Sequence, residues 1–179
     1  MATTTARLMD GGTTLGSNDM DEEVGIKATR LKGWDDNLHA LIVARREAPF
    51  EWGQHDCCLW VGDAVLAMTG FDPAEEYRGA YSTALGAKRK MFELDGVETP
   101  EALADKVFGE RLPIAFARIG DIVVADPEAV GFLSENGTTA MGKVLGICYG
   151  RTSLFVGSEE NHHGLITLRT LGLEWCYRV

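Results

Sequence analysis

The sequence predicts an α+β fold, with N-terminal helices packed on a small antiparallel sheet. Two observations carry that reading. Between Trp34 and Glu110 apolar residues recur at helical spacing. After Leu112 they come in short, β-branched runs separated by glycine-containing turns. No internal repeat is visible.

The first helix is expected over residues 34–47, WDDNLHALIVARRE, with Asp35 or Asp36 capping its start and Pro49 marking its end. Its His39 reads as a surface or boundary residue. The next helix opens at Asp56. Cys57, Val61, Ala64, Val65 and Met68 fall on one face, and Gly70 supplies the stop. DPAEEYRG reads as a short helical turn. A third helix, STALGAKRKMFEL, takes Ser82 as its cap, and a fourth, TPEALADKVFGE, starts on Thr99 with Pro100 at its first position. Strands are expected at residues 119–125 (IGDIVVA) and within KVLGICYG, SLFVG, GLITLRT and LEWCYRV, with a polar loop over residues 126–142.

Residues 1–30 read as an arm. They hold the acidic run Asp19-Met20-Asp21-Glu22-Glu23 and show no apolar period. The remainder, 31–179, forms a single domain of ordinary globular composition, 45% apolar and 25% charged. Seventeen basic residues against 27 acidic ones give a net charge of −10. That balance opposes general binding to a phosphate backbone, so no nucleic-acid partner is expected. The basic clusters Arg45-Arg46 and Lys88-Arg89-Lys90 read as solvated helix faces. No apolar run is long enough to span a bilayer, and the first residues lack the apolar core of a signal peptide. The expectation is a protein made in the cytoplasm, or built into a particle assembled there.

The chemistry concentrates in FEWGQHDCCLWVGDAV. Cys57 falls at the first turn of a helix, where backbone amides and the helix dipole favour thiolate and can hold an oxyanion. Cysteine is equally a small buried side chain, and Cys57 shares the apolar face of Val61 and Val65. His55 stands two residues before it, either as a base or as a loop-fixing hydrogen-bond donor. His162 and His163, in SEENHHG, are the other imidazoles able to fold back as a base. Asp121 is a candidate third polar group, or else a turn residue at a strand start. Cys58, Cys148 and Cys176 read as core residues. Adjacent Cys57 and Cys58 do not match zinc-knuckle spacing, so a metal site requires three or four of Cys57, Cys58, His55, His162 and His163 to converge. No metal and no cofactor is expected.

These residues carry a resemblance. Trp52-Gly53 and Asp56-Cys57 resemble the nucleophile segment of NlpC-type cell-wall cysteine peptidases, with Cys58-Leu59 in place of that family's Ser-Gly. Ile119-Gly120-Asp121-Ile122-Val123-Val124 resembles its Pro-Gly-Asp-Leu-Val strand, and Leu145-Gly146-Ile147-Cys148-Tyr149-Gly150 the strand that follows. The motifs occur in the family's order across residues 49–179. The resemblance implies a papain-like fold, with Cys57 as nucleophile and a histidine at the start of the strand KVLGICYG as base. That position is Val144, which cannot take a proton.

WGxHDC, GDIV and the ending Trp175, Arg178, Val179 also look like a group of small proteins encoded near tail genes of bacteriophages and prophages. That likeness implies a virion-tail location, other tail subunits as partners, and peptidoglycan as a possible target. Three readings follow. One is a tail component with a degenerate peptidase fold, acting in assembly or interaction. Another is an active cysteine amidase or peptidase cleaving peptidoglycan stem peptides. The third is a metal-binding module.

Overall fold

The computed structural model describes residues 28–131, 142–157 and 164–179. Four helices precede most of a six-stranded sheet in which every neighbouring pair is antiparallel. The helices are α1 (Trp34–Arg45), α2 (Cys57–Thr69), α3 (Ala84–Asp95) and α4 (Pro100–Phe108). The strands are β1 (Leu112–Pro113), β2 (Ile122–Ala125), β3 (Val144–Tyr149), β4 (Thr152–Val156), β5 (Leu165–Arg169) and β6 (Trp175–Tyr177), in the order β1-β6-β2-β3-β4-β5. The α+β class expected from the sequence is the one observed.

The central strands β2, β3 and β4 are buried on both faces, and their side chains divide with the two-residue period of a strand. Ile122, Val124, Leu145, Ile147, Leu154, Val156 and Tyr177 face α2, where they meet Trp60, Val61, Ala64, Val65 and Met68. Val123, Ala125, Val144, Cys148, Phe155 and Cys176 form a second buried group on the other face. The third group, Leu59, Ala74, Tyr77, Met91 and Leu103, joins α2 to α3 and α4. Burial on both sides explains why β2 reads IVVA, an unbroken apolar run rather than an alternation.

Several helix ends differ from the sequence expectation by a residue or two. Gly33, not Asp35 or Asp36, stands at the N-cap of α1 in a left-handed conformation, and no side chain caps that end. Thr83, not Ser82, caps α3 by accepting from the Gly86 amide. Thr99 and Pro100 start α4 as expected, and Gly70 ends α2 at φ 77°. The strand expected from Ile119 begins only at Ile122. Gly120 has φ 87°, and a side chain there would collide with the Met68 sulfur and the Arg30 guanidinium, so residues 119–121 turn instead.

The folded body also begins earlier than residue 31. Arg30 donates to the carbonyls of Val179 and Ile119, pairs with Asp121 at 3.3 Å and lies over the Trp34 ring. Arg178 meets the same carboxylate at 2.8 Å. Asp121 thereby ties the start of the described chain to its end.

Candidate functional site

The stretch Glu51–His55 closes on itself through two backbone hydrogen bonds between those residues. Within it Gly53 takes φ 74°, and a Cβ there would lie 2.0 Å from the Tyr81 carbonyl oxygen. The glycine is therefore required by close backbone approach. Asp56 follows as the N-cap of α2. One oxygen of its carboxylate accepts from the amides of Cys58 and Leu59; the other accepts from the Gly53 amide at 3.0 Å and the Tyr81 hydroxyl at 2.7 Å. Burial pushes the Asp56 carboxyl up despite these four donors, and burial with the neighbouring Asp56 raises the Tyr81 phenol. Tyr81 lies 25 residues away in sequence, and no local pattern announces it.

Cys57 occupies the first position of α2, as the sequence predicts. It is only 7% exposed and belongs to the apolar group of Val123, Ala125, Val130, Val144, Cys148, Phe155 and Cys176. Val144, at the position where the resemblance expects a base, is thus in the same apolar group as the candidate nucleophile. The helix start offers an incoming oxyanion less than expected. The second and third amides of α2 are already spent on Asp56, leaving that of Cys57 itself.

Cys58 lies on the adjoining face and packs against both sheet-facing groups. Its hydrogen bond with Cys57, together with burial, holds its thiol well above the usual range. It lines an apolar cavity of about 30 Å³ with Val61, Ala74, Tyr77 and Leu103, space for about one water rather than a substrate. Cys148 and Cys176 are fully buried, and burial pushes Cys176 up to about 11.

Among the described candidates, neither His55 nor Asp121 forms a hydrogen bond to Cys57. The His55 ring stands edge-on to Trp60, with centroids 6.3 Å apart, and the charges that act on it are those of Arg45 and Asp63. It is 3% exposed, and neither ring nitrogen has a hydrogen-bond partner among the described residues. The expected loop-fixing bond from the ring is therefore absent; the His55 backbone does that work. Burial, then Arg45, lowers its pKa, with Asp63 opposing.

Asp121 lies at the other end of α2, next to Gly120, whose neighbour is Met68. Cys57 and Met68 are eleven residues apart on one helix, about 16 Å. Asp121 is fully buried, accepts from the Arg118 amide and binds two arginines, so it is a turn and pairing residue rather than a third member of a triad. His39 is exposed and meets the Tyr149 hydroxyl at 3.0 Å. His162 and His163 lie outside the described residues. Among the described residues no group of three or more His, Cys, Asp or Glu side chains is arranged to hold a metal ion, and no helix is long and apolar enough to cross a membrane.

A family model described as Domain of unknown function (DUF6950) matches residues 29–179. The chain belongs to the DUF6950 family. The match opens one residue before Arg30 and runs through Arg178 and Val179, so the DUF6950 unit includes both arginines that close on Asp121. Comparison of this DUF6950 chain with curated proteins and with solved structures gave no match.

Proposed function

We propose that this DUF6950 chain is a tail-region component of a bacteriophage or prophage. Its papain-like, NlpC-type fold serves assembly or interaction rather than peptide cleavage. The motif order around Cys57, Asp121 and Leu145 supports the fold assignment. The likeness of WGxHDC, GDIV and the Trp175, Arg178, Val179 ending to tail-associated proteins supports the setting. The observation that carries the non-catalytic reading is the burial of Cys57 in an apolar group that contains Val144. A cysteine nucleophile needs a proton acceptor within hydrogen-bond reach, and neither ring nitrogen of His55 has a hydrogen-bond partner among the described residues.

The test is genetic and structural together. Particles whose gene carries Cys57→Ala should assemble and infect as the unaltered particles do, with the protein present in purified virions. Loss of infectivity with normal assembly, accompanied by muropeptide release from peptidoglycan that depends on Cys57, establishes the peptidase instead. The placement of Cys57 at the first position of α2 favours that second reading.

A further inference from the structure

The end of the sheet remote from Cys57 carries a groove of about 610 Å³ with Ile114, Ala115, Ala117 and Leu171 on its walls and Arg151 and Arg169 beside them. Leu171 is 79% exposed, and Phe116 and Ile119, adjoining the groove in sequence, are 62% and 43% exposed. Side chains of this size left open together mark a surface that something covers. Both arginines are exposed, and neither forms an ion pair with an acidic side chain among the described residues. Apolar walls with two uncommitted guanidinium groups suit a short peptide that is both acidic and apolar.

The chain itself has one such peptide, and it leads into this region. The Arg30 guanidinium donates to the Ile119 carbonyl at 2.9 Å, so residue 30 lies within one side chain's length of Ile119, itself two residues from Ala117 on the groove wall. Residues 19–26, DMDEEVGI, place four carboxylates in five positions and follow them with Val24 and Ile26. Six residues lie between Glu23 and Arg30, so the two are joined by seven Cα–Cα steps with an extended reach of about 23 Å. A tether of that length holds the peptide at millimolar effective concentration, so individually weak exposed ion pairs are enough to seat it.

We propose that residues 19–26 of the same chain dock in this groove, with their carboxylates on Arg151 and Arg169 and their apolar residues on Ile114, Ala117 and Leu171. The contact covers the exposed patch until a partner displaces it. The proposal stands whether or not Cys57 is catalytic.

Hydrogen exchange on the full chain at low salt tests it. Amides of residues 114–117 and 169–171 should exchange about tenfold faster when Asp19, Asp21, Glu22 and Glu23 are changed together to their amides. Added salt should have the same effect on the unaltered chain. Arg151→Glu with Arg169→Glu should match that acceleration. Lysines at the four acidic positions, combined with that pair, should restore protection. Equal exchange in the unaltered and amide-substituted chains overturns the proposal. So does protection that grows with protein concentration, which assigns the groove to a second copy. The four acidic positions precede residue 29, where the DUF6950 match begins, so their substitution decides the matter even if the arginine variants fold poorly.

Discussion

His55 is a buried imidazole edge-on to Trp60, and neither ring nitrogen has a hydrogen-bond partner among the described residues. Its pKa is lowered in the folded chain from 6.5. The unfolded chain therefore binds the proton more readily. The stability associated with neutral His55 is complete above about pH 6.5 and is lost as the pH falls below it. Urea unfolding between pH 5 and 8 should show that slope, and His55→Leu should flatten it. Asp56 is the other residue on which the loop depends. Asp56→Ala removes the helix cap and strands the Gly53 amide and the Tyr81 hydroxyl, and should cost at least about 2 kcal/mol in unfolding free energy. Tyr81→Phe, which removes one donor and leaves the cap, should cost about 1 kcal/mol. Equal losses for the two variants would contradict this division.

At the level of elements, α2 and the strands that face it were legible because their signals are local. Cys57, Val61, Ala64, Val65 and Met68 are all buried, as their spacing requires, and Gly70 ends the helix in the left-handed region that glycine tolerates. The cap of α3 was misplaced because Ser82 and Thr83 offer nearly equivalent hydroxyls, and that of α1 because the helix starts on Gly33 in a left-handed conformation, with no side chain to cap it. The two-residue strand β1 escaped detection because Leu112–Pro113 owes its form to β6 rather than to its own pattern. Tyr81 was missed for the same reason, since its partner Asp56 is close only in the fold. Gly146 on β3 is a further case. A Cβ there would lie 2.5 Å from the Phe155 ring. Gly146→Ala should therefore lower stability by about 1–3 kcal/mol through overpacking, measurable by thermal or urea unfolding. An unchanged midpoint would mean that Phe155 is free to move aside.

Across the whole molecule, Asp121 joins segments from both ends of the DUF6950 unit. Arg30 and Arg178 reach its buried carboxylate from opposite termini, and the Val179 carbonyl accepts from Arg30 as well. Reading GDIV as part of a catalytic constellation missed this role, because residues 1–30 read as an arm and Arg178 as part of an ending motif. Asp121→Ala should cost about 3–5 kcal/mol, since it leaves two guanidinium groups without their shared partner. The same global stability governs Cys57, which is buried in the apolar group of Val123, Val144 and Phe155. The most direct measurement is the rate at which an alkylating reagent modifies Cys57 in the native chain, followed by mass spectrometry alongside the global unfolding rate. Modification no faster than unfolding admits the reagent is the result this structure predicts. Rapid modification of the folded protein, abolished by changing a single histidine, would contradict it and identify a working nucleophile and its base.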